Sequence, residues 1–227
     1  MKIMATAIVE AKLEAEIEGL GKIYRADAPF DIARQSLNSE RINLIIPRDL
    51  AYARQKVSKS HSLNTNGSYT RAGFAYAKEE PVLLALNSPL SRNMRLARQA
   101  TEANRQGKYF STDDLEIYEK LAQQAEQEQK EGKPPEKTNV LILPSRDSFN
   151  ISRNENWEVL QGVLKDQAKS YFNFNARDKI RTYLVDKSVV DSQDGTVLTQ
   201  LWLCNLGVNS DLSGDGRNLG YGWLRGC

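Results

Sequence analysis

The alternation of apolar patterns along this 227-residue chain predicts an α+β fold: an antiparallel sheet with helices on one face, plus a helical insertion. Three observations lead there. The first residues alternate apolar and charged with a period of two, the middle third carries helical periodicity, and short apolar runs of strand length lie on both sides of it. At this length one sizeable core suffices, so residues 1–227 are taken as a single domain with 91–135 inserted in it.

Between Met4 and Ile17, Val9, Ala11, Leu13, Ala15 and Ile17 alternate with Glu10, Lys12, Glu14 and Glu16, as in a strand with one buried and one wet face. Glu18-Gly-Leu-Gly21 then turns the chain into a returning strand at Lys22–Arg25. Residues 41–72 hold Arg41, Arg48, Arg54, Lys56, Lys59 and Arg71 against the single acid Asp49, with Tyr52, His61 and Tyr69 interleaved. Their polar middle and the Asn66-Gly67 pair predict a projecting hairpin arm over 55–72. Val82–Leu86 has the length of a buried strand, closed by Asn87-Ser-Pro-Leu90.

Two polar helices follow. The first ends near Gly107, and the second opens at Ser111-Thr-Asp-Asp114, with Leu115, Tyr118, Leu121, Ala122 and Ala125 on one stripe. Its Glu- and Gln-rich end is read as lying in solvent or against a partner, and Lys133-Pro-Pro stops it. Val140–Leu143 is a strand, Asn154–Leu164 a helix with Trp157 as a packing residue, and Ile180–Val190 a strand pair or a strand with a bulge. Thr196–Leu206, with Leu198, Leu201, Trp202 and Leu206, reads as a short helix.

Charge excludes little: 31 Lys and Arg face 29 Asp and Glu, a formal +2. Cys204 and Cys227 form neither a disulfide framework nor a zinc spacing, which fits a reducing compartment. No apolar run reaches transmembrane length and no secretory leader is visible, so a soluble cytoplasmic protein without membrane contact is expected. P-loop, dinucleotide, zinc and nucleophile-elbow motifs are missing, which lowers nucleotide hydrolysis and hydrolase chemistry.

The carboxyl end carries the strongest motif. Four of fourteen glycines fall at Gly214, Gly216, Gly220 and Gly222, with Arg217 and Tyr221 among them. Glycine there allows a close approach to the backbone, exposed N–H groups can cradle an anion, and Arg217 adds a planar cationic fork.

A helix, then G-x-G-(basic)-x-x-G-(aromatic)-G, then a short strand resembles the signature of the RAMP superfamily of CRISPR-associated proteins. The resemblance covers about thirty residues. It implies a ferredoxin-like, RRM-related core, with which the order of elements is compatible, and an RNA-contacting loop at Gly214, Gly216, Arg217, Gly220, Tyr221 and Gly222. It further implies a guide-RNA subunit of a ribonucleoprotein complex, with CRISPR RNA and neighbouring subunits as partners, and the 55–72 arm as a thumb. Arg54, Lys56, Lys59, Tyr69 and Arg71 would then face RNA. The I-P-G-S-S-L-K-G segment of many RAMP backbone subunits has no counterpart here.

Two alternatives stand beside that reading. In a processing endoribonuclease, His61 would be the general base, with Lys59 and Tyr69 near it in sequence. Asp27 and Asp31 would be the acidic candidates, assisted by magnesium if they cut RNA, although Asp31 equally suits the first turn of a helix. No resident cofactor or metal is otherwise expected. In a non-catalytic accessory subunit, the Glu/Gln-rich helix would dock a neighbour.

Overall fold

The computed structural model describes residues 9–175, 178–204, 212–214, 219 and 223–227. The chain opens with the hairpin β1 (Lys12–Ile17) and β2 (Gly21–Asp27), where Gly19 and Gly21 take φ of +80° and +93° in the turn. Glycine reaches that left-handed region without a Cβ clash. Then come α1 (Phe30–Ser39), α2 (Pro47–Lys56), α3 (Ser62–Thr65) and β3 (Ser68–Tyr76). β4 (Leu83–Ala85), α4 (Pro89–Arg92), α5 (Met94–Arg105), β5 (Ser111–Thr112) and α6 (Glu116–Lys130) follow. The remainder is β6 (Val140–Ile142), β7 (Phe149–Ile151), α7 (Trp157–Leu164), α8 (Ala168–Phe174), β8 (Ile180–Tyr183), α9 (Lys187–Asp191), β9 (Thr196–Leu203), β10 (Leu212–Ser213) and β11 (Trp223–Gly226).

All these strands join one mixed sheet, with the path β1-β2-β11-β3-β9-β10-β8-β7. The sheet branches at a bulge. β3 slips register against β9 between Tyr69 and Gly73; before the slip it pairs with β11, parallel, and after it with β4, antiparallel. β4 leads on to β6, and β5 joins β9 near the start of that strand. The last described strand thus lies between the second and the third, and the two ends of the described chain meet in the middle of the fold.

Both faces of the sheet are covered. Under one lie Leu50 and Ala53 of α2, Leu160 and Val163 of α7 and Tyr171 of α8, packed with Phe74, Tyr76, Val197 and Leu201. Over the other lie Phe30 and Leu37 of α1, Leu96 and Ala100 of α5 and Leu121 of α6, packed with Tyr69, Ala75, Leu198 and Leu224. The expected ferredoxin-like antiparallel sheet with helices on one face is therefore corrected: the sheet is mixed, branched and enclosed on both sides.

That enclosure explains the misread segment at 196–203; Asn205 and Leu206 of the expected helix lie outside the described residues. β9 is a strand, not a helix. Val197, Leu201 and Leu203 enter one core while Leu198 and Trp202 enter the other, so its apolar residues lose the alternation of a half-wet strand. The projected 55–72 arm is corrected too: it comprises the end of α2, the short α3 and a nearly fully buried β3. Within 91–135 the helices are present, but Ser111–Thr112 is strand β5 rather than a helix start, so this region adds to the sheet. In 180–190 the second expected strand is α9, capped where Asp186 accepts a bond from the Ser188 N–H. Among the described residues no helix is long and apolar enough to cross a membrane.

Candidate functional site

The carboxyl-terminal third is held by a buried polar frame. Its first member is Arg54, which shares the inward stripe of α2 with Leu50 and Ala51 and is fully buried. Its Nε donates to the Leu63 carbonyl at 2.8 Å, Nη1 to Tyr171 Oη at 2.9 Å and to the Cys204 carbonyl at 2.6 Å. Its Nη2 donates to the carbonyls of Asn66 and Leu203, each at 3.1 Å. Carbonyl dipoles and a phenol oxygen, not a carboxylate, satisfy this cation, and the fork geometry of guanidinium allows so many acceptors at once. The end of β9 is thereby tied to the 63–66 segment.

The second member joins the two ends of the described chain. Arg225 of β11 is fully buried and donates from Nε and Nη2 to both oxygens of Glu14, at 2.5 and 2.8 Å, and from Nη1 to the Gly67 carbonyl at 3.1 Å. Ser62 Oγ donates to the same carboxylate at 2.6 Å, and Arg25 lies 3.6 Å from it. Burial opposes ionisation of Glu14, but the Arg225 bonds and charge, with Ser62 and Arg25, outweigh it and hold the carboxyl below its ordinary value of 4.5. Burial also lowers Arg225 from its ordinary value, and the Glu14 carboxylate works against that shift.

Gly214 is the third member. Its N–H donates to the Tyr183 carbonyl at 2.7 Å, and its own carbonyl accepts from Tyr76 Oη at 3.0 Å and Thr199 Oγ1 at 2.6 Å. A Cβ here would lie 2.5 Å from the Phe74 ring, so the close approach that requires glycine is made by the protein's own core. Leu219 completes the frame: it is buried, and its carbonyl accepts the Phe30 N–H at 2.9 Å.

The residues expected to face RNA separate on this structure. Gly216, Arg217, Gly220, Tyr221 and Gly222 lie outside the described residues. Gly214 and Arg54 belong to the buried frame, so their assignment to RNA is corrected to one of holding the fold. Tyr69 is corrected likewise: it is buried between Phe30 and Trp202, edge-on to both at ring distances of 5.7 and 4.7 Å. Arg71 sits half-buried in the β3 bulge, its N–H on the Ile45 carbonyl at 2.9 Å and its carbonyl taking Ser88 and Ser91. Lys56 and Lys59 are exposed, their ammonium groups 5.1 Å over the Tyr52 ring and 5.7 Å over the Phe174 ring.

The catalytic candidates do not assemble. His61 caps α3, its Nδ1 accepting the Leu63 N–H at 3.1 Å, while Tyr69, one of its two expected partners, is buried in the sheet. Asp27 pairs with Arg25 at 2.9 Å, and Asp31 occupies the first turn of α1, where its N–H donates to Thr101 Oγ1. Among the described residues no group of three or more His, Cys, Asp or Glu is placed to hold a metal ion. Half-buried Lys165, pushed down to about 8 by burial, donates to the Thr138 carbonyl at 2.6 Å.

Glu14 and Arg225 were not foreseen. Strict alternation puts Glu14 on the wet face, but β1 slips register between Leu13 and Ala15, turning Glu14 inward and leaving Leu13 more than half exposed. A one-residue irregularity is enough to exchange faces. The one available signal was an arginine between Leu224 and Gly226 in an apolar terminal strand.

No family model matches the chain, and no curated protein matches it. A solved structure described as "Accommodation of massive sequence variation in Nanoarchaeota by the C-type lectin fold" is similar over 96% of this chain and 96% of that one, at a TM-score of 0.57 and 16% identity. The likeness concerns the fold: this chain has the C-type lectin architecture. That finding, with the helices on both faces of the sheet, replaces the ferredoxin-like expectation.

Proposed function

We propose that this protein is a non-catalytic recognition module, in which a C-type lectin scaffold presents side chains from residues 205–211, 215–218 and 220–222 to a macromolecular partner. The observation that carries the proposal is the frame itself. The described points bordering these segments are all anchored: the Cys204 and Gly214 carbonyls accept from Arg54 and Thr199, Leu212 and Ser213 pair in β10, and the Leu219 carbonyl accepts from the Phe30 N–H, while Arg225 locks the strand that follows. Side chains set between such fixed points can change without disturbing the core.

Composition supports the reading. Residues 205–211, 215–218 and 220–222 contain Asn205, Asn209, Ser210, Asp211, Asp215, Arg217, Asn218 and Tyr221. Asn, Ser and Gly with Tyr and Arg are the residue types that adaptable binding surfaces favour. The similar solved structure is described as accommodating massive sequence variation on this fold, and we carry that property over to these three segments.

The test is a surface-display library randomised at Asn205, Asn209, Asp215, Arg217, Asn218 and Tyr221. Folded display should persist in most clones, and selection on unrelated target proteins should yield binders. General loss of folded display would overturn the proposal. RNA binding by a cytoplasmic ribonucleoprotein subunit is the second reading, favoured by Arg217 in this stretch and by exposed Lys56 and Lys59. Nucleic acid copurifying with the wild type but not with Arg217→Ala would favour it over protein recognition.

A further inference from the structure

A concave surface lies at the other end of β9, near Gly195, roughly 30 Å of extended chain from Cys204. It is a cleft of about 520 Å³ between α6 and the chain segments at 77–80 and 193–195, within the range of built ligand sites. Its apolar lining is Ala77, Tyr118, Ala122 and Leu115. Leu115 is 49% exposed, one of the few large apolar side chains left in water, and Tyr118 is fixed beside it by an Oη bond to the Pro81 carbonyl at 2.6 Å.

The charge of the lining is one-sided. Glu80, Glu119, Glu126 and Asp194 meet a single ammonium, Lys78. Glu126 pairs with Lys130 on its own helix at 3.6 Å, whereas Glu80, Glu119 and Asp194 have no ion pair among the described residues. Glu119, Ala122, Gln123 and Glu126 follow the i, i+3, i+4, i+7 stride that aligns one helix face. The outer two carboxylates are two turns apart, about 10.5 Å along the axis.

We infer that this cleft docks an extended segment of a partner protein carrying one aliphatic side chain and two basic residues three positions apart. In the polyproline-II form of an extended chain, which repeats every three residues, such a pair stands on one face about 9.3 Å apart, close to the axial spacing of Glu119 and Glu126. A single small cation would meet one carboxylate and leave Leu115 in water. A nucleic acid would meet like charge. The surface shares no residue with the recognition frame, so neither proposal depends on the other.

The probe is a fluorescent hexapeptide with a leucine and two lysines three residues apart, followed by anisotropy at low and high salt. Binding in the micromolar range is expected, falling with salt as a charge-dependent contact does. Glu119→Gln with Glu126→Gln should weaken it about tenfold, and Leu115→Ser by a similar factor, a change of about 1.4 kcal/mol in each case. All three side chains are exposed, so thermal unfolding should be unchanged and should certify the variants as folded. Absence of binding by the lysine peptide, affinity unchanged in these variants, or equal binding of a glutamate-substituted peptide would overturn the inference. Full displacement by spermine at matched concentration would also overturn it, by showing a small-cation site.

Discussion

At the scale of single residues, this protein is governed by two buried guanidinium groups with different partners. Arg54 lies among carbonyls, while Arg225 meets a carboxylate that is itself bonded to Ser62 and approached by Arg25. Removing one partner of a buried pair leaves the other desolvated and uncompensated, at roughly 3–5 kcal/mol. Glu14→Gln is therefore expected to lower the melting temperature by roughly 10 °C, read by calorimetry. Acid sensitivity has the same origin. The folded Glu14 carboxyl titrates below its ordinary 4.5, so its contribution is complete above that pH and is lost as pH falls through the lower folded value. The acid limb of the stability curve should flatten in Glu14→Gln; a limb parallel to that of the wild type would show that Glu14 does not govern it.

At the scale of elements, α6 is the instructive helix. Its polar second half was expected to lie in solvent or against a partner, yet Ala125 and Glu128 are buried. Glu128 accepts from the Asn139 N–H and Nδ2, both at 2.8 Å, and from the Val140 N–H at 3.2 Å. Burial raises the cost of its charge, but these bonds hold the carboxyl below its usual range. A single acid thus fastens the helix to the start of β6, replacing the apolar contact its sequence lacks. Glu128→Ala would orphan two main-chain donors, at about 1–3 kcal/mol. Amide exchange should accelerate across α6 and β6 while α1 and α2 keep their protection. Uniform acceleration across the chain would instead mark a global loss of stability.

At the scale of the whole molecule, one sheet serves two cores. Trp157 packs under it, edge-on to Phe172 at 5.4 Å, and Trp202 packs over it against Tyr69. Since β3 and β9 contribute side chains to both cores, neither layer can melt while the other keeps its strands. Variants retaining only Trp157 or only Trp202 as the fluorophore are expected to unfold with coincident denaturant midpoints, as a two-state transition requires. Separate midpoints would divide the chain into two units. Insertion of β11 between β2 and β3 also means that the sheet closes only when the distant ends of the described chain meet, a non-local step that slows folding.

The amino-acid sequence alone determined the elements whose patterns are local. The first hairpin was legible because a period of two and paired glycines act over a few residues, α6 and α7 because one face of each is apolar, and α5 by its basic carboxyl-terminal half ending near Gly107. The apolar runs at 82–86 and 140–143 were legible as strands for the same reason. Tertiary structure decided the rest. β9 could be recognised as a strand only once both its faces were covered, Glu14 as buried only once β1 slipped its register, and Arg54 and Tyr69 as core only once α2 and β3 were placed against the sheet. Composition counts charges and rings, but whether a guanidinium meets a phosphate or the protein's own carbonyls depends on which side of a helix faces inward, and long-range packing sets that.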